Sequence, residues 1–228
     1  MLQIKNIRYQ ILEPKYQQGA VDCLNQVRNQ TGSSNCDLGV TQIVNNDESH
    51  IFQQYPETCS STIIALDTSK KDYVCGILPG IDFINYTQLL RKQHKHHLIN
   101  EKNQIFLKLL EPLIAFNFCK GEVLVGINFG VRLGYEDQKI GQNLAKLFIA
   151  NAQALGYSMT SGIAYNPKSA YVISRQNHSY FSYLDLRKMD LSEEAKRKFK
   201  NKDLFFLGRL IQKNIPQTKI PEIVQPNL

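Results

Sequence analysis

Residues 121–177 constrain this chain more than any other stretch, because their hydrophobic period switches twice and so dictates a topology. From Gly121 the apolar residues Val123, Val125, Ile127 and Phe129 alternate with others, the period of a strand with one buried face. A polar stretch from Arg132 to Lys139 follows. From Gly141 the period becomes helical. Leu144, Leu147, Phe148 and Leu155 mark one face, and Ala145, Ala150, Ala152 and Ala154 are strong helix formers. Gly156 is expected to end that helix in the left-handed conformation that glycine adopts at little steric cost. A second strand is predicted over 157–165, and Asn166-Pro167 opens another helix. In the order strand, loop, helix, strand, the two strands must lie parallel and be joined by a right-handed crossover.

A turn directly before a helix can hold a phosphate, since the first-turn N–H groups lack intrahelical partners and the helix dipole favours anions. Residues 136–141 are such a turn, and the plain alternative is an ordinary strand-to-helix connection, which one glycine in a polar loop does not exclude.

Val131, Tyr135, Ile140, Gly141 and Leu144 stand in the places of a longer pattern, Val-x-x-x-Tyr-Arg-x-x-Gly-Ile-Gly-x-x-Leu. By them the chain resembles the GNAT superfamily of acetyl-CoA-dependent N-acetyltransferases. The resemblance extends more weakly over most of the chain, and there it is most similar to the arylalkylamine acetyltransferase-like branch. It implies an α/β fold of the GNAT type, a mixed and mostly antiparallel sheet with one parallel pair and helices on both faces. It also implies that the cofactor is held by the backbone of Phe129, Gly130 and Val131, by the turn Gln138, Lys139, Ile140 and Gly141, and by Asn166 at the next helix start. The pattern's Arg falls on Glu136 and its first loop Gly on Lys139. A carboxylate then sits where the pyrophosphate belongs, a repulsion of at least ~1 kcal/mol that Lys139 offsets in part. A second register, Gln138-x-x-Gly141, recovers a Gln and a Gly but puts Asn143 at the last small position and Lys146 where the helix needs its first core Leu. The general-acid Tyr implied by the resemblance falls on Ile173, and the family's Gly-Phe pair on Asn177-His178. Where the arylalkylamine branch has its Glu-Pro base, this chain reads Ser33-Ser34-Asn35. Tyr165 and Tyr171 are near in sequence but point elsewhere on a regular helix. His178, alone near a helix end, is expected at the surface. No catalytic residue is therefore assigned.

The remaining elements can be placed around this unit. A first strand is predicted over 3–12, a helix over 16–27, a short helix over 49–55, and a hairpin of strands 62–66 and 73–78. The segment 81–120 should be an insertion with a helix from about 101 to 117, bent at Pro112. Further on come a strand over 179–184, a helix over 191–200 capped by Ser192, and a last strand over 204–211, too apolar to be an uncovered edge.

Composition narrows the function classes. The chain has 228 residues, 43% hydrophobic, with a net charge of +7. That permits an acidic partner, but the basic residues are dispersed except at 91–95 and 196–202, and no nucleic-acid motif appears, so nucleic acid is not the expected partner. His94, His96 and His97 lie among lysines and without carboxylate or Cys in ligand spacing, which reads as a basic loop and not a metal site. Five cysteines without a C-x-x-C, no signal h-region and no apolar run long enough to span a bilayer suit a reduced, intracellular protein. Residues 1–213 read as one domain, and 214–228 as a tail with Pro216, Pro221 and Pro226. Ile220, Ile223 and Val224 in that tail are expected to dock on other protein subunits. The reading drawn from these residues is an acetyltransferase-like domain with an impaired acetyl-CoA loop, serving as a structural or interaction subunit. The alternatives are an active acetyl-CoA-dependent N-acyltransferase acting on a small amine, and a module that binds CoA without turnover.

Overall fold

The computed structural model describes residues 6–29, 51–136, 138–165, 167–199 and 203–211. In chain order the elements are β1 (Ile7–Ile11), α1 (Gln17–Arg28), α2 (Ile51–Gln54), α3 (Glu57–Ser61), β2 (Ile63–Asp67), β3 (Tyr73–Leu78), β4 (Gly80–Asp82), α4 (Phe83–Arg91) and α5 (His97–Ala115). There follow β5 (Val123–Gly126), β6 (Gly130–Val131), α6 (Ile140–Ala154), β7 (Met159–Ala164), α7 (Pro167–Ser174), β8 (Ser179–Asp185), α8 (Glu193–Lys198) and β9 (Asp203–Leu210). The strands form two ladders, β1-β2-β3-β6 and β4-β5-β7-β9-β8. These are consecutive parts of one surface. β3 and β4 succeed each other across Pro79, β5 and β6 across residues 127–129, and the Ile127 N–H donates to the Pro79 carbonyl at 2.9 Å. Every pairing is antiparallel except β5 with β7. The sheet is therefore mixed and mostly antiparallel with one parallel pair, as the period switch requires.

Alternation along the strands feeds two separate cores. Ile64, Leu66, Val74 and Ile77 point to the side of α1 and α5 and join the larger cluster, with Leu24, Val27, Ile105, Leu109 and Leu113. Ile63, Ala65, Cys75 and Leu78 point to the other side, where they meet Ile140, Leu144, Phe148 and Ala152 of α6. Helices thus cover both faces, and α6 lies on the face opposite α1.

The segment 81–120 departs from expectation. It does not stand outside the sheet, because β4 continues β3 and pairs with β5. Asp82 then caps α4, accepting from the Ile84 N–H at 2.9 Å, and ties the start of β5 by accepting from the Gly121 N–H at 2.7 Å. α5 begins earlier than predicted, at His97, and runs past Pro112 to Ala115. Pro112 has no N–H to give, so the ladder lacks one bond there, and the Leu109 carbonyl beside the gap accepts from Ser182 Oγ at 2.7 Å. The long strand predicted from Gly121 is also broken: Asn128 has φ +48°, and β5 and β6 are separate pieces. Elsewhere, apart from α3, which was not predicted, the elements fall where expected, with positions 3–5, 49–50 and 200 of the predicted strand and helices lying outside the described residues. Gly156 has φ +84° and ends α6, Ser192 Oγ accepts from the Ala195 N–H at 3.2 Å, and β9 lies between β7 and β8.

Candidate functional site

The break at Asn128 and the parallel pair together make an opening in the sheet. Parallel pairing of β5 with β7 ends at Gly126↔Gly162. Beyond it β7 continues to Ala164 bonded only to β9, while β6 bonds only to β3. The facing edges of β6 and β7 are thus left apart at the carboxyl ends of two parallel strands, the usual place for a ligand in an open α/β sheet. Asn128 acts as a bulge: Ile127 belongs to the α1-side core, yet Phe129 packs into the α6-side core, so alternation slips by one residue between them. Asparagine tolerates the left-handed conformation better than most residues.

Backbone groups line this opening. The Arg132 N–H donates to the Cys75 carbonyl at 2.9 Å, next to the pairs Gly76↔Val131 and Ile77↔Gly130. In an antiparallel ladder bonding groups alternate, so residues 130 and 132 address β3 and the Phe129 N–H faces the opening. The Phe129 ring turns to the α6 side and lies on Gly141, where an added Cβ would come 3.0 Å from the ring. Gly130 has α1 at contact on the other side. Val131 packs into the α6-side core. Phe129, Gly130 and Val131 are therefore held rigidly on both faces while their open edge stays clear of β7.

The turn into α6 was predicted as the anion-binding part. Ile140 is buried, and Lys139 is the N-cap residue, with φ +58° and no side-chain capping bond. Gln138 precedes it, half-buried. The first-turn amides of α6, Gly141 among them, have no intrahelical acceptor, and a helix of this length adds its dipole to them. The position of Lys139 suits glycine, since a left-handed β-carbon is crowded by its own carbonyl at ~1–2 kcal/mol. Lys139→Gly should accordingly raise the stability by about 1 kcal/mol, seen as a higher urea midpoint with an unchanged slope; a lower midpoint would refute the strain. Glu136 is less intrusive than the sequence implies, because its Oε2 accepts from the Gly134 N–H at 2.6 Å within its own turn. Asn166 and Ser33-Ser34-Asn35 lie outside the described residues.

The side-chain candidates do not gather at the opening. Tyr165 is buried and packs on Phe199, ring centroids 6.0 Å apart. Tyr171 is exposed on α7, its hydroxyl accepting from Arg175 Nε at 3.1 Å. Ile173 sits beside the parallel seam, 3.8 Å from where a Cβ on Gly162 would be. It brings a methyl group where the resemblance implied an acid. His178 is not the surface residue expected. Its Nε2 meets Thr160 Oγ1 at 3.2 Å and its Nδ1 is buried without a hydrogen bond. Burial above all, then the nearby Arg209 charge, lowers its pKa to about 4. The carbonyls of Gln176 and Ile173 pull the other way, though neither meets Nδ1 in bonding geometry. Thr160 is two residues before the seam ends, so His178 stands behind the opening and not in it.

Two residues that sequence reasoning left unassigned shape the site. Arg132 is buried against α1, with Nη1 donating to Gln26 Oε1 at 2.7 Å and to the Tyr73 hydroxyl at 2.5 Å. Asp67, on β2, accepts from the Tyr135 hydroxyl at 2.7 Å. Tyr135 was legible from the motif, but its partner is remote in sequence and nothing in the hairpin marks it. A shallow, mostly apolar groove of about 210 Å³ lies elsewhere, between β1 and α6, lined by Tyr9, Ile11, Ile63 and Leu147 among others. Among the described residues no cluster of His, Cys, Asp and Glu could hold a metal, and no helix is long and apolar enough to cross a membrane.

No protein-family profile and no curated protein sequence matches the chain. Solved structures do. Arylalkylamine N-acetyltransferase 2 from Aedes aegypti superposes with a TM-score of 0.71 at 13% identity, over 91% of this chain and 100% of that one. The C-terminal condensation domain of Ebony, solved in complex with beta-alanyl-dopamine, gives 0.65 at 13% identity over 90% and 99%. The protein yncA from Salmonella typhimurium, solved with its cofactor acetyl-CoA, gives 0.58 at 8% identity over 92% and 97%. At such identities the likeness establishes the fold: this chain has the GNAT N-acetyltransferase fold, and its structural neighbours include arylalkylamine N-acetyltransferases, the branch that the sequence resembles outside the motif.

Proposed function

We propose that the chain is an acyl-CoA-dependent N-acyltransferase acting on a small amine. The observation that carries this reading is the opening between β6 and β7 with the uncapped start of α6 beside it, an opening to which continued alternation along β6 would turn the Phe129 N–H. These backbone groups fit acetyl-CoA: the amides of Ile140, Gly141 and Gln142 would take the diphosphate and the Phe129 N–H the acyl carbonyl. Bound there, the cofactor would supply an acyl group already activated as a thioester. The chain's own part is to orient that group by main-chain donors and to keep the reacting end between two packed faces. Among the structural neighbours, one is an arylalkylamine N-acetyltransferase and another holds beta-alanyl-dopamine, which supports a small amine. With Ile173 in the acid's place, the leaving thiolate must take its proton from water. A missing positioned acid is worth about 10²–10⁴-fold in rate, so slow turnover is expected.

A second reading, a non-catalytic subunit kept for its shape, draws on the same Ile173 and on the withdrawn positions of Tyr165 and His178. Residues 214–228, which were to dock on a partner, lie outside the described residues. Calorimetric titration with acetyl-CoA, followed by an assay of thiol release with a panel of arylalkylamines, separates the two. Saturable one-to-one binding and slow, amine-dependent thiol release are expected. No binding at millimolar acetyl-CoA would leave the non-catalytic reading standing.

A further inference from the structure

Between Val131, where β6 ends, and Ile140, where α6 begins, the chain crosses from the opening to the far end of the β2–β3 hairpin and back. Arg132 and Tyr135 anchor this loop by buried side chains. Arg132 points to the α1 side. Its guanidinium lies 4.4 Å from the Tyr73 ring centroid, and Nη2 donates to the Gly19 carbonyl at 3.4 Å. Gly134, at φ +81°, then turns the chain, and Tyr135 dives under the hairpin. There its hydroxyl donates to Asp67 Oδ2 at 2.7 Å, while Oδ1 of the same carboxylate accepts from the Ser69 N–H at 3.0 Å and from Ser69 Oγ at 2.5 Å. Tyr73 pairs with Asp67 across the hairpin and stands 6.4 Å from the Tyr135 ring, so both anchors converge on one hairpin end. Lys70 lies 5.3 Å from the Tyr135 centroid on the outer side.

Asp67 has no solvent exposure, though it lies just beneath the surface. Burial alone would raise its pKa and is the largest single influence, but the bonds from Ser69 and Tyr135 together outweigh it and hold the carboxyl below its ordinary range. The bond to Tyr135 is therefore charge-assisted, the strong kind. It lies a few residues before the helix whose first-turn amides would form the anion-binding edge.

We infer that Tyr135 is a positioning residue, and that its hydrogen bond to the buried Asp67 carboxylate latches the α6 N-terminus in the place where its amides can meet a cofactor diphosphate. The inference rests on the acyl-CoA reading for the identity of the anion. The latch itself does not depend on that reading, and it makes the β2–β3 hairpin, remote from the opening, part of the site.

The test compares the wild type with Tyr135→Phe, Asp67→Asn and the double variant. Acetyl-CoA affinity, amide hydrogen exchange over residues 134–142 in the free protein, and melting temperature are measured for each. Tyr135→Phe should weaken acetyl-CoA roughly tenfold, the worth of a hydrogen bond to a charged group, and speed exchange in that segment. Asp67→Asn removes the charge and leaves one acceptor oxygen where the carboxylate served both Ser69 and the phenol, so it should weaken acetyl-CoA and speed exchange in the same direction as Tyr135→Phe, by a smaller factor. The double variant leaves no buried carboxylate short of a donor, so it should regain melting temperature while its affinity stays low and its exchange fast. Exchange in Tyr135→Phe equal to wild type, or a double variant that regains slow exchange together with its melting temperature, would overturn the latch. If the wild type binds no acetyl-CoA, the acyl-CoA reading fails, and the exchange data alone still decide whether the latch exists.

Discussion

Gly130→Ala is expected to lower the unfolding free energy by about 3 kcal/mol, the upper end of what overpacking a tight core costs. A Cβ at this position would stand 2.1 Å from Val27 Cγ1, 2.8 Å from Cγ2 and 3.0 Å from the Val27 Cβ. No rotamer of valine relieves all three contacts, because the nearest backbone-fixed atom is among them. Val27 cannot swing aside, since it is buried in the α1-side core with Leu24 and Ala20. Either α1 lifts from the sheet, which costs stability alone, or β6 is pushed towards the opening, which also displaces the Phe129 amide. In the latter case acetyl-CoA binding should fall with stability. Val27→Ala removes two of the three contacts, so the double variant should be more stable than the sum of the single effects by about 2 kcal/mol. Urea unfolding of the four proteins measures this coupling. A Gly130→Ala protein within about 0.5 kcal/mol of wild type would mean that α1 is not held against β6 as described.

The sequence reveals the parallel pair because the signals there are local. The switch from alternation at Val123 and Val125 to helical spacing at Leu144 and Phe148 forces a crossover, and Gly156 marks its end. The strand break is invisible for an equally physical reason. Apolar residues alternate without interruption from Val123 to Phe129, but the bulge at Asn128 sends Phe129 to the opposite face, and a period count cannot see a slip in φ. Gly141 stood out in the sequence only as a motif position, and the fold adds a packing reason for a small residue there: an added Cβ would come 3.0 Å from the Phe129 ring. α4 was missed because its buried face includes Asn85 and Thr87, polar residues that a hydrophobic count ignores, with Asn85 Nδ2 satisfied by Glu57 Oε1 at 2.6 Å. The Asp67–Tyr135 and Arg132–Gln26 contacts join residues far apart in the chain, and single-sequence spacing has no access to them. What the motif conveys is therefore the backbone of the candidate site, while the side chains that hold it in place emerge only with the fold.

His178 should make the protein lose about 3 kcal/mol of stability between pH 6.5 and pH 4 that a variant without this imidazole keeps. The sign follows from burial. In the folded state the ring is kept neutral down to a pKa of about 4, first by its loss of water and second by the Arg209 charge, whereas its ordinary value is 6.5. Below pH 6.5 the unfolded chain binds a proton that the folded one refuses, so stability declines by roughly 1.4 kcal/mol per pH unit. Near pH 4 the folded ring protonates too, and the decline from this group stops. Arg209 is itself fixed, its Nη1 donating to the Gln176 carbonyl at 2.8 Å in the turn that carries His178, so it cannot swing away to relieve the repulsion. His178→Gln retains a polar group for Thr160 Oγ1 and does not titrate. Its urea midpoint should fall less steeply than that of the wild type over this range, and the two should run parallel above pH 7. Comparing the two proteins cancels the contribution of every group that they share. Parallel curves throughout would show that the imidazole is solvated. The place behind the parallel seam would then be open to water.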